Sequence, residues 1–527
     1  MSQFGDPEVA TSTSAAQGES LPPGAVAFTA APTPESHPPG LYALFTTEMW
    51  ERFSYYGMRA LLVLYLTKAM GYNRGDALAL YAVYTGLVYL TPLIGGRLAD
   101  LYLGQRKAVF IGGILMALGQ FALSQPSLLH LGLGLMIVGN GFFKPNISVM
   151  VGSLYPQGDA RRDGAYTLFY MGINLGAFLA PLVAGTLGER TGWGNGFMSA
   201  GIGMILGLLT FVFTQRLLQG AGLPPGREPV PGSTLQSRDW VEIGVISGIV
   251  AALVYGAITA WPSIRFLWSP GFIEGSHALS FLYKGGLLVA ALVAFIWATE
   301  PKAEAEMVQL HEPFTAVDWQ RIGVIVVISL FSILFWMGFE QSGGTLNLFA
   351  DEKTDRHVFG YEIPASLFQS INPVFIIALA PVFAVLWTRL AERKFPLPSV
   401  AKQGLGLVLL SLGFCVMYFA QKNSEAGSVS PFWLVGVYLI FTVAELFISP
   451  IGLSLVNKLS HPRIASLMMA FWFLCTAAAN FLAGIMEELV EPYNFNLWLF
   501  LGVMALVPGL LLLALTPVLV KMSHGRV

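Results

Sequence analysis

Glu48, Glu51, Arg52, Tyr55 and Tyr56 are spaced at i, i+3, i+4, i+7 and i+8, so a helix gathers them onto one stripe. Around them, residues 41–69 form a run apolar and long enough to span a hydrocarbon core, which needs about 20 residues. A charge at the bilayer centre costs about 2.5–3.5 kcal/mol on insertion scales, so three together must line a cavity or pair inside a bundle. The alternative is a cluster that snorkels to the interface. Against it, Arg59 and the apolar run Ala60–Leu66 continue the helix past the charges. The stripe is therefore read as a functional site, and the rest of the chain as what positions it.

That remainder is overwhelmingly apolar. With 527 residues, 55% hydrophobic and 11% charged, and a mean hydropathy of +0.64, the fold class is an all-α polytopic membrane protein. A net charge of −2 without a dense basic cluster argues against a nucleic-acid partner. Cys415 and Cys475 lie in apolar runs and read as small buried hydrophobes, with no disulfide framework implied. Residues 1–40, rich in Pro, Ala, Ser and Thr, read as a disordered cytoplasmic tail.

Spans are expected near 41–69, 79–100, 107–124, 130–153, 164–187 and 197–216, then near 239–262 and 279–299, then near 320–349, 365–389, 401–420, 432–456, 463–488 and 496–520. The count is about fourteen, written as six, two and six. The domains follow: an N-terminal six-helix bundle at 41–217, a linker with two extra transmembrane helices at 218–319, and a C-terminal six-helix bundle at 320–522. Arg106, Lys107, Arg161, Arg162, Arg389, Arg393, Lys458 and Lys521 fall on one side of this alternation, which places both termini in the cytoplasm. Two six-helix halves are the layout of transporters built from parallel repeats, whose substrate sits near the midplane. The inserted pair is expected outside the bundle, with Lys284 snorkelling at one end.

Few other charges lie at membrane depth. Lys144 precedes Pro145 in the fourth span, while Glu340 and Glu445 lie in the second half. A cation pole of Arg52 and Lys144 thus faces an anion pole of Glu340 and Glu445. That polarity suits a zwitterion, its carboxylate on Arg52 and Lys144 and its amine opposite. Asn174 and Asn372 could bind peptide groups, with interhelical hydrogen bonding as the rival use. Tyr55, Tyr56, Tyr89, Trp336 and Trp472 could form pocket walls, with helix packing as an equal alternative. Ser449, one turn past Glu445, is counted with the second pole.

The remaining acids suggest proton coupling. Protonating a buried Glu, or supplying a ligand carboxylate, frees the cation it holds, and Glu48 and Glu51 lie within about one turn of Arg52. A membrane potential supplies about 2.3 kcal/mol per charge per 100 mV. The expected proton-coupling set is Glu48, Glu51, Arg52, Lys144 and Glu340. No metal spacing or nucleotide-binding motif is present, so no cofactor is expected beyond the proton. The glycines of Gly132–Gly141 read as close helix packing.

The stretch Glu48-x-x-Glu51-Arg52-Phe53-x-Tyr55-Tyr56 resembles the ExxERFxYY signature of the proton-dependent oligopeptide transporter family, within the major facilitator superfamily. Phe169-Tyr170-Met171-Gly172-Ile173-Asn174-Leu175-Gly176 resembles that family's FYxxINxG signature. Gly95-Gly96-Arg97-Leu98-Ala99-Asp100 with Gly104 and Arg106 resembles the superfamily's loop between the second and third helices, one residue longer than the general pattern. The resemblance covers about residues 41–520 and implies a major facilitator fold. It further implies a symporter of protons with di- and tripeptides, working by alternating access as a monomer in a plasma membrane, here a bacterial inner membrane. Similar proteins hold the peptide carboxylate near Arg52 and Lys144 and the amino terminus near Asn174, Asn372 and Glu445. Glu340 matches the seventh-helix acid tied to extracellular gating. The second-helix histidine of mammalian relatives has no counterpart here, which leaves proton transfer to carboxylates. An anion carrier, suggested by the two cations, and a membrane enzyme, suggested by the buried acids, Lys144 and Ser449, are the competing readings.

Overall fold

The structure is a computed structural model that describes residues 36–156, 159, 161–227, 232–264, 314–393, 397–448, 452–461 and 464–525. The chain divides into a unit Met1–His37 and a second unit, Pro38–Val527, which holds all the described helices.

The first part of that second unit comprises α1 (Pro39–Lys68), α2 (Arg74–Leu98), α3 (Gln105–Leu123), α4 (Leu129–Ser153), α5 (Arg161–Ala180), the short α6 (Thr186–Thr191) and α7 (Trp193–Thr214). α8 (Ser237–Ile264) follows, and the inserted span expected at 279–299, with Lys284, lies outside the described residues. The later part comprises α9 (Ala316–Phe339), α10 (Thr345–Glu352), α11 (Ile371–Glu392), α12 (Ser399–Ser424), α13 (Phe432–Ile448), α14 (Gly452–Leu459), α15 (Ala465–Val490) and α16 (Leu497–Met522). Eleven helical stretches among the described residues are long and apolar enough to cross a membrane. The 30-residue α1 is not one of them, because its charged stripe leaves no sufficiently uncharged window. α13 is shorter, at 17 residues.

Local chemistry explains where these helices start and approach each other. Asn73 caps α2 by accepting a hydrogen bond from the Asp76 amide, and Thr315 with Asp318 forms a reciprocal capping box on α9. α3 and α4 pack through glycines: a Cβ on Gly139 would lie 2.8 Å from the Gly112 carbonyl, and one on Gly119 would lie 2.9 Å from that of Gly132. The sequence reading of Gly132–Gly141 as packing glycines is thus borne out. Pro145 has no N–H for the Gly141 carbonyl. That carbonyl instead lies against Gly95 of α2, where a Cβ would come within 2.1 Å. This contact carries Lys144 up to α2.

Several expected spans are interrupted. α9 stops at Phe339, and the tight turn Glu340–Gly343 separates it from α10, so Glu340 lies at a helix break rather than inside an unbroken 320–349 helix. The run 432–456 divides into α13 and α14. α5 passes through a widened turn, Pro181–Gly185, before α6. A two-stranded antiparallel hairpin, β1 (His357–Val358) and β2 (Tyr361–Glu362), turns through Phe359 and Gly360, both at positive φ. The expected burial of both cysteines needs correction: Cys475 is buried, but Cys415 faces outward from α12. An apolar helix that borders lipid on one face has no need to bury every hydrophobic side chain.

Candidate functional site

The α1 stripe is buried, with Glu48 1%, Glu51 0% and Arg52 2% exposed. Arg52 Nε lies 2.9 Å from Glu48 Oε1 and 2.5 Å from Glu51 Oε2, so one guanidinium serves two carboxylates. Among the described residues, Arg52 Nη2 and Glu48 Oε2 have no hydrogen-bond partner. Asn140 of α4 donates to Glu51 Oε1 at 3.5 Å. Gly176 of α5 makes room for the cluster: a Cβ there would lie 2.2 Å from the Met49 carbonyl and 2.8 Å from Arg52 Cβ. The glycine of the Asn174-Leu175-Gly176 signature therefore allows α5 to pass directly over Arg52.

Lys144 Nζ stands 4.6 Å from the centre of the Tyr89 ring, and the Arg52 guanidinium 5.4 Å from that of Tyr55. Tyr56 lies in the field of Arg52 and Arg59 on its own helix and of Glu340 and Glu445 opposite. Lys144 likewise lies in the field of Arg52, Glu48, Glu51 and Glu340. On the second-half side Asn372 Nδ2 donates to Thr442 Oγ1 and to Glu445 Oε2, both at 3.0 Å, which orients the Glu445 carboxylate.

Glu340 has a partner that spacing did not supply. Its carboxylate accepts from Arg59 Nη2, whose side chain also donates through Nε to the Tyr81 hydroxyl at 2.9 Å and reaches Ser342 Oγ at 3.4 Å. Glu340 thus acts on Lys144 through space, as expected of the opposite pole, while its direct partner is Arg59 of α1. Arg59 continues the same stripe seven residues beyond Arg52, and that spacing was the signal available.

The remaining expected residues are placed less centrally. Asn174 is buried and donates back to the Tyr170 carbonyl of its own helix at 2.9 Å. Trp336 packs edge-on against Phe335 and Phe339, with centroids at 5.3 and 5.5 Å, and Trp472 is buried. Ser449 lies outside the described residues. No group of three or more His, Cys, Asp or Glu among the described residues is arranged to hold a metal ion.

Further pairs join the halves at the end where Arg59 meets Glu340. Lys68 lies 2.5 Å from Asp351, and Arg74 lies 2.8 Å from Glu352 and 2.5 Å from Glu487. Asn347 donates to the Ala60 carbonyl at 3.0 Å. A cavity lined by Arg74, Phe349, Glu352, Glu487 and Trp498 lies at this end, away from the Arg52 cluster.

The sequence pattern of the POT family matches residues 106–229 and 302–499. The chain belongs to the POT family. POT family members are transporters, not enzymes, and this one is a multi-pass membrane protein. A peptide transporter of Yersinia enterocolitica subsp. palearctica is 38% identical over 481 residues, covering 88% of this chain and 89% of its own length. A di-/tripeptide transporter of Lactococcus lactis subsp. cremoris is 33% identical over 508 residues, covering 93% and 97%. The crystal structure of a peptide transporter POT in complex with sulfate superposes with a TM-score of 0.75 at 37% identity, covering 92% of this chain and 96% of that one.

Proposed function

We propose that this POT family chain is a proton-coupled symporter that imports di- and tripeptides by alternating access. In this reading residues 41–217 and 320–522 form two six-helix bundles of the major facilitator type. The linker 218–319 adds two membrane helices, for about fourteen in all, after a tail at 1–40. The protein works as a monomer in a bacterial inner membrane with both termini cytoplasmic, and needs no cofactor beyond the proton.

The observation that carries this reading is the Arg52 cluster. A buried guanidinium, bracketed by two acids and with Nη2 unpartnered, can receive a ligand carboxylate. That carboxylate competes with Glu48 and Glu51 for the same cation. Protonating either acid has the equivalent effect, because it withdraws a counter-charge from Arg52 and frees it for the ligand. Peptide and proton are then linked through one side chain. Lys144 completes the carboxylate pole, with Tyr55, Tyr56 and Tyr89 as walls. Asn174, Asn372 and Glu445 receive the amine, with Trp336 and Trp472 as further walls. Glu340, released from or bound to Arg59, sets whether the outer end is closed. In this reading the pairs Arg59–Glu340, Lys68–Asp351 and Arg74–Glu487 are the contacts that close the outer end.

The test is uptake into proteoliposomes under an inward proton gradient. Wild type should accumulate dialanine, with uptake competed by other dipeptides but not by nitrate. Glu51→Gln should lose gradient-driven accumulation by more than about tenfold, equivalent to roughly 1.4 kcal/mol, while keeping counterflow. No accumulation by wild type, or equal accumulation by the variant, overturns the proposal.

A further inference from the structure

A second line of contact joins the halves away from Arg59, along the seam between α5–α6 and the start of α11. Arg190 Nη2 donates to the Glu362 carbonyl at 2.9 Å. Glu189 accepts from the amides of Ala365 and Ser366 at 2.9 Å each and from Ser366 Oγ at 2.5 Å. Further in, a Cβ on Gly185 would lie 2.3 Å from Ser366 Oγ, and Ser370 Oγ donates to the Phe178 carbonyl at 2.9 Å. Asn174 lies four residues before Phe178 in α5, and Asn372 two residues after Ser370 at the start of α11.

Glu189 is only 10% exposed, and Arg356 stands 3.9 Å away. Its carboxylate satisfies amides at the start of the helical run Ala365–Ser370, which continues into α11. Those amides have no partner within the helix, and a negative charge there also favours the helix dipole. The cap therefore comes from the opposite half. It holds the helical run that leads into the helix bearing Asn372, the residue orienting Glu445.

We propose that Glu189 is a positioning residue: by capping α11 across the seam it couples outer closure to the spacing of Asn174 and Asn372, the pair assigned to the peptide amine. This rests on the peptide reading above. Separating the halves removes the cap and the Ser370 bond together, so the Asn372 and Glu445 side of the site loses its register with Asn174. A ligand bridging the two asparagines correspondingly favours the closed seam.

The test uses full-length protein carrying Cys415→Ser and Cys475→Ser, with spin labels on Thr191→Cys and Phe359→Cys, both exposed positions on opposite sides of the seam. Without ligand, Glu189→Gln should move the label distance distribution toward longer separations and weaken dialanine binding about five- to tenfold, the size of a typical coupling between sites. Ser366→Ala should do the same in smaller measure. Gly185→Ala, which wedges the seam from another position, should match Glu189→Gln. Unchanged distances in all three variants overturn the cap, and longer distances with unchanged affinity overturn the coupling. Wild type that binds no dialanine would instead sink the peptide reading, and the ligand-free distance shift would then decide the seam by itself.

Discussion

Arg52 and Arg59 lie on one stripe of α1 yet meet different anions: Arg52 two acids of its own helix, Arg59 an acid 281 residues away. The first arrangement was legible in the sequence because helical period alone brings Glu48, Glu51 and Arg52 together. The second was not, since the pairing of Arg59 with Glu340 depends on the register of two separate halves, which spacing does not encode. Asn372 is an intermediate case: its type and depth marked it, but only the fold shows that it orients Glu445. The Arg59–Glu340 pair is buried, and removing one partner of such a pair strands the other charge, at a cost of about 3–5 kcal/mol, whereas replacing both with apolar groups is far milder. Glu340→Gln should therefore lower the unfolding midpoint of the detergent-solubilised protein more than Arg59→Met combined with Glu340→Met does. A double variant less stable than the single one would show that the pair is not the closing contact described here.

At the scale of elements, helix existence and most boundaries followed from apolar runs, caps and prolines. The breaks after α9 and between α13 and α14 were not anticipated, although both fall at polar or helix-breaking residues, Glu340-Gln341-Ser342-Gly343 and Ser449-Pro450. Glycine content was legible as close packing, but not which interfaces would have to open. Gly139 lies inside the α3–α4 contact, and Gly484 lies between α15 and α2 of the other half, where a Cβ would come within 2.5 Å of Ala82 Cβ and 2.8 Å of the Leu78 carbonyl. Overpacking costs about 1–3 kcal/mol wherever the clash exists. Gly139→Ala should accordingly lower thermal stability in every conformation. Gly484→Ala should leave stability nearer wild type but shift the protein toward an open outer end. That shift is measured as faster modification of a cysteine placed at Asn347, which is buried here beside the Ala60 carbonyl. Equal modification rates in variant and wild type would show that the α2–α15 contact does not close the outer end.

For the whole molecule, composition made the membrane class legible, but not which elements α8 would pack against. The structure ties α8 to the first half. Lys107 of α3 lies 3.2 Å from Asp239 and 2.5 Å from Glu242, and Arg227 of the connecting segment lies 2.7 Å from Asp239. Buried Arg106 grips that segment through the carbonyls of Gln219, Ala221 and Ser233, each at 2.7 Å. A guanidinium with several fixed acceptors is hard to dislodge, because each lost bond would leave a buried donor unsatisfied. If the halves rock against each other, α8 should move with α1–α7 as one body, and a covalent link within that body should be harmless. In a background lacking Cys415 and Cys475, a short bifunctional thiol cross-linker joining Lys107→Cys to Glu242→Cys should leave uptake within about twofold of the uncross-linked protein, under roughly 0.4 kcal/mol. The same cross-linker joining Lys68→Cys to Asp351→Cys, which ties α1 to α10 at the end where Arg59 meets Glu340, should abolish uptake until it is cleaved. Loss of uptake from the first link would place a moving joint between α3 and α8, where the ion pairs show a fixed one.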